Sequence, residues 1–404
     1  MSDAESPARW RALALLAAAE LLGMSPWFSA SAVVPALRAE WHLTASGAAW
    51  LTLAVQIGFV AGTLASALGN LPDVFRTRRF LALSSLAAAG ANALFAVAAR
   101  GIAGGVALRF ATGFFLAGVY PPAMKVLATW FRRGRGLALG VLIGALTLGK
   151  AAPYLVNAIA SGRWRTDVLV VSALAAIGGL IVLFFVGDGP YAPARARFDP
   201  RQIDRVFAVR GVRLACFGYF GHMWELYAMW TWAPLMIRES FARTGAARAL
   251  GEAAAFLVIG SGAAGCVLAG IVADRAGRTL VTSWAMAISG TCCLVTGFLF
   301  GASPWLLLVV AVIWGASVVA DSAQFSAAVT ELSDPVYMGT ALTLQTCVGF
   351  LLTTISIELV SFLQGAAGWG VAFAALAPGP VFGIASMLRL RRLPEAVRLA
   401  HGNR

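Results

Sequence analysis

The chain has 404 residues, of which 60% are hydrophobic and 12% are charged, and its mean hydropathy is +0.80. A soluble globular protein carries about 25% charged residues, so the composition excludes an ordinary soluble domain and indicates an integral membrane protein. The formal net charge of +13 would suggest a nucleic-acid partner in a soluble chain. Here the basic residues lie mainly between apolar runs, so we expect the lipid bilayer as a partner and no nucleic acid.

Twelve apolar runs are long enough to cross a bilayer as helices, which takes about 20 residues each. They cover approximately residues 10–37, 45–69, 80–99, 102–125, 136–160, 167–187, 212–237, 250–273, 279–301, 304–328, 338–363 and 369–388. None shows the alternation that is typical of a transmembrane β-barrel strand. The sequence therefore predicts an all-α integral membrane protein with twelve transmembrane helices.

Basic residues are distributed unevenly between the two sets of loops. If the N-terminus is cytoplasmic, 21 of the 31 basic residues lie in cytoplasmic loops and tails and seven lie in outer loops. Because cytoplasmic loops carry the excess of Arg and Lys, we predict a multi-pass protein of a bacterial-type inner (plasma) membrane with both termini in the cytoplasm. The five cysteines all fall within spans, without a metal-ligand spacing such as C-x2-C, so we expect no metal and no cofactor.

The first span carries Glu20 about ten residues from its start, on the same helical face as Trp27. Ionisable groups inside a bilayer are costly, and they usually face protein or a water-filled pathway. We therefore predict that Glu20 faces a functional site. The interruption Gly-Met-Ser-Pro at residues 23–26 predicts a kink in the same helix.

The two halves of the sequence repeat one another weakly. The loops at residues 69–79 (GNLPDVFRTRR) and 270–278 (GIVADRAGR) align at an offset of 201 positions, and Glu20 and Glu225 at an offset of 205. Secondary transporters commonly consist of such repeats, with the binding site at the interface between them. We predict two pseudo-symmetric six-helix bundles, at residues 1–190 and 212–404, joined by a cytoplasmic linker at 191–211.

The fourth and fifth spans contain basic residues at membrane depth. Arg109 lies in the fourth span, and Lys150, one of only two lysines in the chain, lies just past the middle of the fifth. Such cations offer a seat to a carboxylate or phosphate group, so we expect them to attract a negatively charged solute. Another face of the fifth span predicts close helix packing through Gly136, Gly140 and Gly144.

The seventh span contains His222, Glu225 and Trp232 on one helical face. Glu225 lies about 13 residues into the span, near mid-bilayer, where acids and histidines commonly form proton relays. An unperturbed histidine titrates near neutral pH, which suits His222 to the same role. Asp321 in the tenth span and Gln345 in the eleventh are further polar candidates.

Two motifs carry a family resemblance. The loop after the eighth span reads G-x-x-x-D-R-x-G-R, with Gly270, Asp274, Arg275, Gly277 and Arg278 at the fixed positions. The loop after the second span keeps the first glycine and Asp73, and Arg109 begins the motif R-x-x-x-G-x-x-x-x-G. In these motifs the chain resembles transporters of the Major Facilitator Superfamily. The resemblance implies a twelve-helix fold and a cytoplasmic gate that contains Asp73, Gly270, Asp274, Arg275 and Arg278.

Two subfamilies can be compared by residue. The nitrate carriers of this superfamily place an arginine in span two and another in span eight, whereas neither span contains one here. A general similarity to nitrate/cyanate-type carriers therefore does not predict nitrate as the substrate. Proton-driven exporters carry a Gly-Pro pair in span five, but here three residues separate Gly149 from Pro153. The sequence leaves the direction of transport open.

The resemblance and the buried charges together predict a proton-coupled secondary transporter. We expect it to move a small solute, an organic anion, by alternating access and to function as a monomer. The predicted proton carriers are Glu20, Glu225, His222 and Asp321. The predicted solute-binding residues are Arg109, Lys150, Tyr154, Trp27, Trp232 and Gln345.

Three alternatives stay open at this point. An exporter of amphiphilic drugs or metabolites would share the fold. An intramembrane enzyme is disfavoured because the HExxH and GxSxG motifs are absent, and we expect no enzymatic activity. A non-transporting sensor or scaffold would not need the repeated gate loop.

No phosphate-binding loop of the form G-x4-G-K-[ST] occurs, which argues against an ATP-driven pump.

Overall fold

The computed structural model describes residues 7–131, 135–159, 163–191, 198–334, 336 and 338–404, apart from the side chains of Ala45, Asp73, Arg135 and His401. Across these ranges the chain forms helices joined by short loops and contains no β-strand. This result confirms the predicted all-α class. The candidate site depends on breaks within individual helices.

Six long helical segments form the N-terminal half. They are α1 (Ala8–Ala32), α2 (Ala45–Leu68), α3 (Thr77–Ala98), α4 (Ile102–Ala128), α5 (Arg135–Ile159) and α6 (Trp164–Phe185). α1 tightens into a 3-10 turn at Ser25–Phe28, next to Pro26. The irregularity predicted in the first span is thereby confirmed. α4 is also interrupted, between Leu116 and Tyr120.

Six further segments form the C-terminal half. They are α7 (Arg210–Arg243), α8 (Arg248–Ala276), α9 (Arg278–Thr296), α10 (Pro304–Leu332), α11 (338–367) and α12 (369–391). α11 runs into α12 through Gly368, whose φ of 81° lies in the left-handed region that favours glycine. α8 and α10 are each broken near the middle, at Ser261 and Asp321 respectively.

Ten segments of the described chain have the length and composition needed to cross a membrane. α7 is not among them, because its buried polar residues and its Trp and Tyr side chains lower its mean hydropathy. α11 and α12 count as one 54-residue segment, Met338–Arg391, although the backbone turns at Gly368. Adding α7 and dividing that segment gives the twelve helices that the sequence predicts.

Both described ends of the chain lie on the same side of the helices. The guanidinium group of Arg9 lies 5.5 Å from the ring centroid of Phe131, at the end of α4. At the other end of the chain, Asn403 donates a hydrogen bond of 3.0 Å to the main-chain oxygen of Asp274, in α8. Asp274 in turn touches Gly136 at the start of α5. We call this side the terminal side and the opposite side the distal side.

Glycine permits a direct backbone contact between α2 and α4. A Cβ atom on Gly58 would lie 2.1 Å from the carbonyl oxygen of Phe110, and one on Gly113 would lie 2.1 Å from that of Val55. Larger residues cannot occupy these positions without moving a helix, because packed interiors relax only partially. The pair therefore fixes the distance between α2 and α4, which places the side chains of α2 against the centre of the protein.

Substitution of Gly113 tests this contact. Gly113→Ala would press a methyl group against the main chain of α2, and we expect a loss of about 1–3 kcal/mol in the free energy of unfolding, as for other overpacked cores. Thermal unfolding of the purified protein in detergent would show it as a lower Tm. In the same helix, a Cβ on Gly104 would meet no atom closer than 3.9 Å. Gly104→Ala should therefore keep or raise the Tm, and an equal loss in both variants would contradict the account.

Candidate substrate and proton site

Lys150 lies in the interior of the protein, and only 2% of its surface is exposed. Its position depends on its neighbour Gly149, because a Cβ there would lie 2.2 Å from the carbonyl oxygen of Leu21. Glycine thus lets α5 pack directly on α1. The close approach brings Lys150 Nζ to 4.0 Å from the ring centroid of Trp27, in the 3-10 turn of α1.

The other contacts of the Lys150 ammonium group come from α7, in the opposite half of the chain. Nζ donates a hydrogen bond to the hydroxyl oxygen of Tyr227 and lies 4.5 Å from the centroid of that ring. It also lies 5.1 Å from the ring centroid of Trp230. A cation over an aromatic face is attracted by the ring quadrupole, most strongly where both groups are desolvated. Lys150 therefore joins the two halves at their centre.

These three rings belong to a larger group that we call the aromatic cage. It consists of Trp27, Phe28, Phe59, Tyr227, Trp230 and Phe350, three residues from each half. The closest rings are those of Phe59 in α2 and Phe350 in α11, whose centroids lie 4.6 Å apart. The cage therefore crosses the boundary between the two halves, where a solute-binding site of a repeat-built transporter is expected.

Glu20 contributes a buried carboxyl group from α1. The residue is 1% exposed, and neither of its carboxyl oxygens accepts a hydrogen bond from the described residues. Glu20 and Lys150 nevertheless act on one another electrostatically. A buried carboxylate without a nearby cation is strongly unfavourable. The ionised state of Glu20 consequently depends on Lys150.

Several buried polar atoms of three predicted solute-binding residues, and of Trp230 beside them, lack partners among the described residues. They are the indole nitrogens of Trp27 and Trp230, the hydroxyl of Tyr154 and both side-chain polar atoms of Gln345. Most buried polar atoms in proteins are hydrogen-bonded, so each exception calls for an explanation. Two of these atoms, on Trp27 and Trp230, belong to rings that contact Lys150. They offer hydrogen-bond donors to a solute or to water.

Arg109 has a different environment from Lys150. Its guanidinium group donates to the side chains of Ser29 (3.0 Å) and Asn92 (2.8 Å) and to the main-chain oxygens of Trp27 and Leu51. All four partners belong to the N-terminal half. Arg109 thus holds the irregular segment of α1 that presents Trp27 to Lys150. Its predicted contact with solute stays a prediction.

Glu225 has its partners within the C-terminal half. Its carboxyl group accepts hydrogen bonds from Ser289 (2.9 Å) and Cys293 (3.1 Å) of α9 and from the indole of Trp314 (2.5 Å) of α10. The repeat-related positions of Glu20 and Glu225 would predict that the two acids face one another across the interface, but the partners of Glu225 all belong to its own half. The offset of 205 correctly relates the two positions in sequence, but α7 is rotated so that Glu225 faces its own bundle.

His222 is paired with Asp321 rather than with Glu225. Its Nδ1 lies 2.8 Å from Asp321 Oδ1, and each side chain is 1% exposed. Asp321 stands at the break between the two parts of α10, where the helix exposes main-chain groups. The structure thus assembles the four predicted proton carriers as Glu20 beside Lys150, the pair His222–Asp321, and Glu225 among α9 and α10.

Trp232 and Tyr154 lie beyond the aromatic cage on its distal side. Trp232 donates a hydrogen bond of 3.0 Å to the main-chain oxygen of Ile357 in α11. The ring of Tyr154 lies beneath Arg238, with 5.6 Å between the guanidinium carbon and the ring centroid. Neither residue contacts the Lys150 ammonium group, so their predicted contact with solute would occur at another point of the pathway.

A polar cluster joins the two halves on the distal side, and we call it the distal latch. Asn157 of α5 donates to Glu252 of α8 (3.0 Å) and accepts a hydrogen bond of 2.9 Å from Arg248. Arg238 of α7 donates to the main-chain oxygen of Ala32 in α1 (2.8 Å) and lies 3.3 Å from Glu252. The distal latch therefore closes the distal side above Lys150, with partners from both halves.

The sequence held one signal for the distal latch. Glu252 is an acid just inside the predicted span 250–273. The structure shows that it is buried, with an exposure of 2%. Arg238 and Arg248 fall between the predicted spans 212–237 and 250–273, and they are two of the seven basic residues expected in outer loops. Only the structure shows that these loop ends turn inward, to line a cavity of about 480 Å³ that includes Asp167 of α6.

A second contact fixes the wall of this cavity. The short helix Val34–Trp41, which follows α1, carries Glu40 at its end. Glu40 accepts hydrogen bonds from Arg165 (2.6 and 3.0 Å) and from the indole of Trp164 (2.7 Å), at the start of α6. These two donors lower the pKa of Glu40 to about 2, so the tether stays ionised at physiological pH.

The glycine stripe of α5 closes the terminal side. Cβ atoms on Gly136, Gly140 and Gly144 would lie 2.4 Å from Asp274 Oδ2, 2.9 Å from the Cys266 oxygen and 3.1 Å from the Ala263 oxygen, respectively. The close packing predicted for these three glycines is confirmed. It brings α5 of one half against α8 of the other, at the loop that begins near Gly270.

The predicted gate residues divide between contacts across the halves and contacts within one half. Asp274 touches α5 across the boundary, whereas Arg278 donates to Glu331 (2.5 and 2.8 Å) and Gln324 (2.7 Å) of its own half. A pairing of the loop acid with a loop arginine across the gate is therefore not observed among the described residues. Arg275 is exposed, and the side chain of Asp73 lies outside the described residues.

Twelve membrane helices, a buried lysine and acid at the centre and closures on both sides are features that are typical of a secondary transporter. Comparison with protein families agrees with this class. The model of the Major Facilitator Superfamily matches residues 16–356 of the chain. The chain belongs to this superfamily.

Individual relatives match parts of the chain. A protein of Streptomyces coelicolor named "Probable actinorhodin transporter" is 28% identical over 203 residues, 47% of this chain and 34% of that protein. A rice protein named "Probable high-affinity nitrate transporter 2.4" is 32% identical over 175 residues, 40% of this chain and 36% of its own length. An Escherichia coli protein named "Uncharacterized transporter YgaY" is 30% identical over 173 residues, 42% of each chain. The alignments thus span less than half of these relatives.

Removal of Asn157 tests the distal latch. Asn157→Ala deletes a charge-assisted hydrogen bond to each of Arg248 and Glu252, and such bonds contribute about 1.5–3 kcal/mol each. Loss of one such bond alone corresponds to a shift of about ten-fold, so we expect the distal side to open at least about ten-fold more often. A cysteine is introduced at Ser31, which lines a narrow gap beside Arg238. The rate at which a membrane-impermeant maleimide labels it, after subtraction of the labelling of the five buried native cysteines in the protein without this substitution, should rise accordingly.

A matched asparagine on the terminal side serves as the control for this experiment. Asn403→Ala removes the hydrogen bond to Asp274 and should leave labelling at residue 31 unchanged. Equal labelling rates in the Asn157→Ala variant and the parent protein would show that the distal latch does not hold the distal side closed.

Proposed function

We propose that the protein is a proton-coupled secondary active transporter of a small organic anion that works by alternating access. The observation that carries this proposal is the position of Lys150, which is buried between the two halves and contacts Trp27 of one half and Tyr227 of the other. Glu20 is buried nearby, because its neighbour Leu21 touches Gly149, the residue before Lys150. At the boundary of the two bundles, Lys150 would bind a negatively charged solute and Glu20 would bind a proton.

Solute and proton are coupled through Lys150. An arriving carboxylate accepts a hydrogen bond from the ammonium group of Lys150, because a charge-assisted hydrogen bond is stronger than the contacts with aromatic faces. Glu20 then loses the cation that compensates its charge. A buried carboxylate without that compensation is unfavourable, so Glu20 takes up a proton, and the solute and the proton are carried together.

Alternating access uses the two closures. With the terminal side in the cytoplasm, the contact of Asp274 and Gly270 with α5 is the cytoplasmic gate and the distal latch is the outer gate. The bundles at residues 1–190 and 212–404 rock about Lys150, with 191–211 as their linker, so that one gate opens while the other stays closed. A single chain contains both gates and the site, which supports a functional monomer in an inner membrane.

Export of amphiphilic compounds is the second candidate function. Six aromatic rings around one site suit a large apolar solute, and one relative carries the name of an actinorhodin transporter. The two functions differ in the charge that the solute must carry. Transport of neutral or cationic compounds with no competition from carboxylates would favour the exporter over the anion transporter.

Substitution of Glu20 tests the proton coupling. In liposomes that contain the purified protein, Glu20→Gln should abolish the accumulation of a labelled carboxylate that an imposed pH gradient drives. Exchange of the same carboxylate across the membrane without a gradient should continue, because exchange requires no net movement of protons. The readout is the ratio of gradient-driven uptake to exchange.

Two further variants complete this experiment. Glu40→Gln removes an acid on the distal surface that is half exposed and far from the aromatic cage, and it should leave the ratio unchanged. Glu225→Gln removes the buried acid of the C-terminal half. If Glu225→Gln abolished gradient-driven uptake while Glu20→Gln preserved it, the proton would be carried by the C-terminal half and the proposed coupling through Lys150 would be wrong.

A further inference from the structure

Within the described part of the chain, the contacts of the Lys150 ammonium group are of an unusual kind. Apart from the hydroxyl of Tyr227, the groups that contact it directly are the aromatic faces of Trp27, Tyr227 and Trp230, with centroids 4.0, 4.5 and 5.1 Å away. Glu20 acts on it only through the field between them. An incoming carboxylate therefore does not have to break an existing ion pair within hydrogen-bond distance.

The ammonium group lies where the faces of three aromatic rings converge. Aromatic rings prefer tilted or edge-to-face neighbours with centroids 4.5–7 Å apart, and the rings of the aromatic cage already pack in this way. Trp27 lies 5.6 Å from Tyr227 at an interplanar angle of 40°, and Tyr227 lies 5.3 Å from Trp230 at 74°. Because these rings already contact one another, a flat solute ring would enter only when the two halves move apart, and it would then replace their mutual contacts with contacts of the same kind.

The cage also offers directional donors to such a ring. The indole nitrogens of Trp27 and Trp230 are buried and donate to none of the described residues. Each of them could serve a hydroxyl or carbonyl oxygen on the edge of a ring. An aliphatic acid would meet the same walls, but it would gain neither the ring-to-ring attraction nor a planar arrangement of oxygen substituents.

The charges limit the solute to one carboxylate at this point. Lys150 lies over three rings of the aromatic cage. The guanidinium group of Arg109 already donates to four acceptors in the N-terminal half, so it does not supply a second cation to the solute. From these observations, and resting on the proposed function, we infer that the transported solute is an aromatic monocarboxylate. Its carboxylate binds Lys150, and its ring lies among Trp27, Tyr227 and Trp230.

A pair of matched acids tests this inference. Benzoate and cyclohexanecarboxylate carry the same carboxyl group on a six-membered ring of similar size, but only benzoate has an aromatic face. Calorimetric titration of the purified protein in detergent at neutral pH should show benzoate binding about ten-fold more tightly, as expected when an aromatic ring gains two or more ring contacts. Benzamide, which has the ring without the charge, should bind much more weakly than benzoate.

Variants of Trp230 show whether the preference for benzoate depends on an aromatic face at this position or only on a large apolar side chain. Trp230→Phe keeps an aromatic face and should keep the preference for benzoate, whereas Trp230→Leu should reduce the two acids to similar affinities. Lys150→Met should weaken both acids alike. Since a loss of folding would also weaken both, each variant is first compared with the parent by gel filtration and Tm.

The outcomes distinguish the inference from the proposed function. Equal binding of benzoate and cyclohexanecarboxylate, or no binding of either acid, would overturn the aromatic solute. Equal binding that Lys150→Met abolishes would still support an anion site at Lys150. Binding of benzamide as tight as that of benzoate, unaffected by Lys150→Met, would contradict the anion transporter itself.

Discussion

The cost of an ionised side chain in an apolar interior is the constraint on which the rest of this structure depends. Lys150 and Glu20 both lie at the centre of a twelve-helix membrane protein, with exposures of 2% and 1%. When both groups are ionised, each charge is compensated by the other, and the ammonium group also by the aromatic faces around it. Any event that removes one charge destabilises the other, and this dependence is what can tie a solute to a proton.

The irregular parts of the helices serve this centre. The 3-10 turn of α1 points Trp27 at Lys150, and Arg109 fixes that turn from within the N-terminal half. Gly149 lets α5 approach α1 closely enough for the contact to form. On either side of the centre, α5 continues into a closure, with the glycine stripe towards the terminal side and Asn157 towards the distal side. One helix therefore links the site to both gates.

The sequence predicts those features that follow from the free-energy cost of a charge in the membrane or from the spacing of small residues along a helix. Charges inside apolar runs identified Glu20 and Lys150, and glycine spacing predicted the close contact of α5. It failed where the answer depends on how a helix is rotated and on which neighbour it meets. Glu225 is as costly as Glu20, yet α7 turns it towards Ser289, Cys293 and Trp314. The sequence does not predict the distal latch for the same reason, because Arg238 and Arg248 lie between two predicted spans and resemble ordinary loop residues.

The central claim is that solute binding at Lys150 forces Glu20 to take up a proton. The most direct measurement is the pH change of a weakly buffered solution of the purified protein in detergent, started at a pH alkaline enough to ionise Glu20, when a transported carboxylate is added; an indicator dye follows the change. The account predicts about one proton taken up per solute bound in the parent protein, and none in Glu20→Gln, although that variant still binds the solute. Uptake of a proton by Glu20→Gln equal to that of the parent would contradict it.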